Sequence, residues 1–281
     1  MSTRLALPPV AVVGAVALGL GCRGPRSTTA PRDLVRRELS LPLGHAAATL
    51  AVEASISSRT AGAPISVAPA AEFGVAPDVT VGVGHGTWPL GVVSAGGGLC
   101  LTGRDHGCPQ PYANLTLDAR WQVRPGDLAL APRARFVVEQ TDPFLPGLAL
   151  GALARWTGGR FAVETDPHLV LGLLHRDLGN RSRLRVPVLG SVQPTRGWAI
   201  GLRTGVDGEL ATFSETFAVP VALESTVRVT PAIDLWGGVG FRALLGPQNQ
   251  FRDRALSLAV RWRWAQPMRR PAGATAPLTA P

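Results

Sequence analysis

From about Leu39 to Trp264 the chain alternates between apolar and polar positions. Between Tyr112 and Val123, the residues Ala113, Leu115, Leu117, Ala119, Trp121 and Val123 fall on one side, while Asn114, Thr116, Asp118, Arg120 and Gln122 fall on the other. Successive side chains of an extended backbone point to opposite faces, so the pattern predicts a strand with one apolar and one polar face. Arg254 to Trp264 repeats it, with Leu256, Leu258, Val260, Trp262 and Trp264 opposite Ser257, Ala259, Arg261 and Arg263. Ala232 to Ala243 does the same, with Ile233, Leu235, Val239 and Phe241 opposite Asp234, Trp236 and Arg242. About twelve such segments of about ten residues follow one another. They are centred near Thr49, Val67, Val81, Leu117, Ala134, Leu150, Val163, Val186, Ile200, Val219, Leu235 and Leu258. An even number of antiparallel strands brings both ends of the chain back to the same side.

The connections show a second regularity. Ala76-Pro77-Asp78, Arg124-Pro125-Gly126, Thr157-Gly158-Gly159, Pro194 to Gly197 and Arg228 to Pro231 are short and turn-forming. They alternate with the connections His85 to Gln110, Glu139 to Pro146, Asp207 to Ser214 and Leu245 to Asp253, which include the longest. Under this order, Phe73, Trp121, Trp156, Phe161, Trp198 and Trp264 lie on apolar faces at the short-turn ends of their strands. Phe136, Phe217 and Phe241 lie toward the other rim. Two aromatic bands with aliphatic residues between them suit a wall whose edges meet a water-lipid boundary.

A soluble β-sandwich would alternate too. It gives no reason for tryptophans to gather at one end of the strands, or for polar faces thin in lysine and glutamate. The chain resembles Gram-negative outer-membrane β-barrels of the porin-like or small-transporter type. The residues that carry the resemblance are strand-turn units such as Glu72-Phe73-Gly74-Val75-Ala76-Pro77-Asp78-Val79-Thr80 and the closing strand Leu256-Ser257-Leu258-Ala259-Val260-Arg261-Trp262-Arg263-Trp264. It implies an all-β fold, a transmembrane antiparallel up-and-down barrel over residues 39–265 placed in the outer membrane. It also implies outer-membrane lipid and the barrel insertion machinery as partners. The closing strand is similar to the aromatic-ended insertion signal of such proteins, although here a Pro/Ala-rich tail, 266–281, follows it; that composition predicts disorder.

Composition refines this picture. The net charge is +9, and the 28 basic residues are all arginine. They are scattered rather than clustered on one motif, which argues against nucleic acid. Residues 1–22 read as an export signal: Arg4, an apolar run from Val10 to Leu20, then Gly19, Gly21 and Cys22. Gly19-Leu20-Gly21-Cys22 is similar to a lipobox, with Gly19 where that pattern prefers leucine, so Cys22 is a candidate for lipidation. Residues 23–38 read as a flexible periplasmic lead. Cys100 and Cys108 fit a disulfide that staples the longest loop. His106 offers too few companions for a metal site.

By parity, Arg120, Arg133, Arg135, Arg155, Arg183, Arg185, Arg203, Arg242, Arg261 and Arg263 face the lumen. Glu53, Glu72, Asp118, Glu164, Asp166, Glu224 and Asp234 share that side. Two readings are open. One is a mildly cationic pore that attracts small anionic solutes. The other is a barrel closed by arginine-carboxylate pairs, with a structural or envelope-organising role. No catalytic set or cofactor motif is legible. The histidines His45, His85, His106, His168 and His175 carry no local signature of a nucleophile and its base. His168 shares its side with Glu164 and Asp166, which leaves a membrane-embedded hydrolase as a third reading. Gly82, Gly84 and Gly86 precede no helix, so they do not form a phosphate loop.

Overall fold

In the computed structural model, residues 33–56, 63–86, 97–103, 108, 110–247 and 254–265 are described. The signal 1–22 with Cys22, most of the lead 23–38, His106 and the tail 266–281 lie outside the described residues.

The strands are β1 (His45–Ser55), β2 (Ile65–Ala76), β3 (Val79–His85), β4 (Gly98–Cys100), β5 (Tyr112–Trp121), β6 (Leu128–Thr141) and β7 (Phe144–Gly158). They continue with β8 (Phe161–Thr165), β9 (His168–Gly172), β10 (Arg183–Thr195), β11 (Trp198–Glu209), β12 (Val219–Thr230), β13 (Ile233–Leu245) and β14 (Arg254–Ala265). Neighbouring strands of the sheet pair antiparallel throughout, and β1 pairs β14 from His45↔Ala265 to Ser55↔Ala255, which closes the sheet. β8 and β9 lie end to end between β7 and β10, broken at Asp166 and Pro167, and together make one stave. β4 is an extra strand that adds to β2 and β5 at the long-loop end. The result is an antiparallel barrel of twelve staves. Each segment centre read from the alternation falls within one of these staves.

Closure gives every central backbone group a partner, so the wall can be apolar outside without leaving open edges. Leu50, Leu117, Leu150, Leu223 and Leu258 stand exposed on the outer face. Monomeric soluble proteins rarely expose an apolar surface of that extent. Phe73, Trp121, Trp156, Phe161, Trp198 and Trp264 are exposed at the short-turn end, and Phe73 and Trp264 flank the small Ala46 of β1.

Several expectations differ from the structure. Glu139 to Pro146 is no long loop: β6 runs to Thr141 and β7 begins at Phe144. Val137, Val138 and Leu145 are all buried there, so both faces are apolar and the alternation that marks a strand disappears. Phe217 lies at the end of a one-turn helix, α1 (Phe213–Thr216), and stacks on Phe213 at 6.0 Å rather than joining the outer band. Residues 33–44 precede β1 and turn into the barrel, whereas the sequence suggested a flexible lead to residue 38 and a barrel from Leu39.

In the longest connection Cys100 and Cys108 form the expected disulfide, with Cα atoms 6.1 Å apart. Non-reducing peptide mapping of exported protein is expected to recover the two as a linked pair. Two free thiols at these positions would contradict it.

Candidate functional site

The inward faces carry charge because a charged side chain on the lipid face is costly. Fixed arginines must then find partners, and cross-strand register decides which. Arg120 of β5 lies opposite Arg133 of β6, a repulsive pairing. Asp118, one step along the same face, relieves it by contacting Arg133 at 2.5 Å, Arg135 at 3.3 Å and Arg120 at 3.7 Å. Asp166, at the break between β8 and β9, binds Arg133 at 2.9 Å and also Arg135. Glu72 of β2 holds Arg120 at 2.8 Å and Arg261 of β14 at 2.5 Å. The intervening β1 presents only the small Ala47 and Thr49 there, so the pair closes over it.

Other groups fill the two ends. Arg203 pairs with Glu224, which also accepts from Trp236 Nε1 at 3.4 Å. Toward the long loops, Arg242 meets Glu53 at 2.8 Å. Arg183 and Arg185 meet Asp207 at 3.1 and 3.2 Å. The sequence places Asp207 at the start of a loop, whereas β11 extends past it to Glu209 and turns its carboxylate inward. Toward the short turns, Asp234 takes Arg263, with Arg228 at 3.8 Å.

A segment that sequence reasoning missed completes the site. Residues 33–44 form a strap along the inner rim at the short-turn end. Val35 N donates to Gln193 Oε1 of β10 at 3.1 Å, and Ser40 N donates to Gln122 Oε1, just past β5, at 3.1 Å. Leu41 N donates to Thr80 Oγ1 of β3 at 2.7 Å. Leu39 packs with Ala129, Ala131 and Leu153 of β6 and β7. The strap thus follows the wall from β10 to β3 before β1 begins. Arg37 leaves that arc and forks onto Asp234 of β13, at 2.6 and 2.7 Å. Gly74 of β2 is the clearance point: a Cβ there would overlap the Pro42 carbonyl and the Leu41 oxygen.

The strap and the walls enclose a cavity of about 590 Å³. One part of its lining is ionic, with Glu72, Asp118, Arg120, Arg133, Arg261 and Arg263. Another part is aliphatic, with Leu34, Val35, Leu39, Leu153, Ala162 and Leu189. Arg155 and Glu164 also line it. Of the ten arginines that parity assigns to the lumen, nine make ion pairs within 4.0 Å. Arg155 is the exception among the described residues. His168 is buried in the wall, its Nδ1 2.6 Å from the Asp166 carbonyl. His85 lies near the long-loop end, with ring nitrogens 2.8 Å from Pro69 O and 2.6 Å from the Tyr112 hydroxyl.

A closed even-stranded barrel, apolar outside and ionic within, with aromatics at its rim, defines the class: this is an outer-membrane β-barrel fold of the porin type. No protein-family model and no curated protein matches the chain. Among solved structures it is similar to the KdgM porin in complex with disordered oligogalacturonate, at 7% identity and TM-score 0.51, over 76% of this chain and 98% of that one. The NanC porin matches at 9% identity and TM-score 0.52, over 76% and 98%. An outer-membrane channel from Pseudomonas putida F1 matches at 13% identity and TM-score 0.51, over 80% and 97%. At these identities the likeness is one of fold.

Proposed function

We propose that the chain forms an outer-membrane pore for small solutes, with a mild preference for anions, whose short-turn end is narrowed by the strap. The observation that carries this reading is the cavity of about 590 Å³ inside a closed barrel, lined by arginine guanidiniums and their carboxylate partners. Fixed charge behind a low-dielectric wall focuses its field into the lumen, and arginine stays charged at any physiological pH. That a barrel of similar fold, the KdgM porin, was solved with oligogalacturonate supports an acidic solute for this chain as well.

The competing reading is a closed barrel with a structural role. The ion-pair network favours it, as do Ala129, Ala131, Ala222 and Ala255, which face inward yet are almost entirely covered. Conductance separates the two. Protein refolded in detergent and reconstituted in a planar bilayer is expected to show discrete current steps, with a reversal potential on the anion side under a KCl gradient. Silence from protein of verified fold would instead support the closed barrel.

In our reading the chain is no enzyme. The His168 ring carries no hydroxyl partner among the described residues, which weighs against a hydrolase. Residues 1–22 serve export, the barrel insertion machinery receives β14, and Cys22 either leaves with the signal or carries lipid. The same mass spectrum that maps the disulfide reads the mature N-terminus and decides between the last two.

A further inference from the structure

We propose that the lumen holds a binding site for a small monoanion with an aliphatic body, such as a short fatty carboxylate, centred on Arg155. The proposal deepens the pore reading and rests on it for the solute's route, though not for its binding. Arg155 projects inward from β7, is only 7% exposed, and lines the cavity. Its guanidinium makes no hydrogen bond or ion pair among the described residues, and its buried Nε has no partner. A buried guanidinium without partners is costly, so a site that keeps one is suited to a ligand that supplies the acceptor.

The surroundings specify the rest of the ligand. Leu153 lies two residues back on the same face, and Leu39 of the strap packs on it. Ala129 of β6 and Glu164 of β8 are the cross-strand neighbours of Arg155, and Leu189 of β10 pairs with Glu164. One side of the cavity thus sets Arg155, which makes no ion pair among the described residues, among aliphatic side chains with Glu164 beside it, while the other side is ion pairs already closed on themselves. A short alkyl chain fits the first and gains nothing from the second. Glu164 and Glu38 act on Arg155 from beyond ion-pair distance. Both carboxylates repel an incoming anion, a dianion more than a monoanion, and Arg37 acts in the opposite sense, which sets a monocarboxylate above sulfate. The cavity's size is in the range of small-molecule pockets.

Calorimetric titration of the full chain, folded in an uncharged detergent, tests this with hexanoate as the probe. Hexanoate is expected to bind, while acetate, sulfate and hexylamine bind at least about tenfold more weakly, the worth of one charged hydrogen bond or of the alkyl contact. Arg155→Gln is expected to weaken hexanoate about tenfold or more, and Arg155→Lys to recover part of that. Leu153→Ala is expected to weaken hexanoate and leave acetate unchanged. Equal binding of hexanoate and hexylamine to the unaltered protein overturns the site without any variant, which covers the case in which Arg155→Gln does not fold. Hexanoate binding that survives Arg155→Gln overturns it too. Binding by a barrel that is silent in bilayers keeps the site and ends the pore reading, whereas a conducting barrel with no hexanoate binding does the reverse.

Discussion

Replacing Leu34 to Leu41 with a glycine-serine stretch of equal length is expected to raise single-channel conductance severalfold. The strap occupies the inner rim, and Arg37 reaches from it to Asp234 on β13, so removing it clears that end of the lumen. What holds the strap decides which smaller changes release it. Its polar anchors to Gln193, Gln122 and Thr80 are each worth about 0.5–1.5 kcal/mol net. Burial of Leu34, Val35, Leu39 and Leu41 contributes more, about 1.5–3 kcal/mol per side chain. Leu39→Ser should therefore open the pore more than Gln193→Ala does. Gly74→Val attacks the strap from the wall side, since its Cβ would overlap the backbone of Leu41 and Pro42, and it leaves the strap's own sequence intact. Conductance unchanged in both the glycine-serine variant and Gly74→Val, each shown folded by its heat-dependent gel mobility, would mean that the strap does not limit the pore.

The barrel itself was legible because its two solvents differ. Lipid outside and polar lumen inside impose strict alternation on residues such as Leu115 to Trp121, and the short turns mark where staves end. Where one stave is apolar on both faces, as at Val137, Val138 and Leu145, the signal vanishes and a tight turn reads as a loop. The strap was illegible for another reason. Charged Arg36, Arg37 and Glu38 separate its apolar Leu34 and Val35 from Leu39 and Leu41, and the short alternation from Leu39 reads as the start of a strand rather than as part of a strap. Its partners lie far along the chain, 82 residues away for Gln122 and 197 for Asp234. No local pattern encodes such contacts.

The inward arginines could be read from parity, but their pairing could not. Parity assigns a face, while pairing depends on the register of neighbouring staves. Asp118 reaches both Arg133 and Arg135 because β5 and β6 align Asp118 with Arg135. Arg155 has a carboxylate, Glu164, directly opposite on β8, and a reading from sequence would pair them. The structure leaves them apart, and this separates one arginine from the nine that serve the wall.

Among those nine, the pair most exposed to a single change is Arg133 and Arg135, and Asp166→Ala is expected to destabilise the barrel by about 3–5 kcal/mol. Asp166 is 1% exposed and accepts from both guanidiniums. Its loss leaves Arg133 and Arg135, the latter itself 2% exposed, to share Asp118, at 2.5 and 3.3 Å. The cost comes from leaving two buried guanidiniums with too little negative charge rather than from losing an attractive contact, because a buried ion pair is worth little relative to apolar residues of the same shape. Two consequences separate this from simple loss of packing. Asp166→Ala combined with Arg135→Met should regain part of the stability, since the excess buried positive charge is gone. The single variant should also become more anion-selective in bilayers, because removing one carboxylate adds to the net positive field of the lumen. Urea unfolding from lipid vesicles reads the first effect and the reversal potential reads the second. A single variant within about 0.5 kcal/mol of the unaltered protein, the usual range for changes away from such features, would mean that the network does not brace the wall.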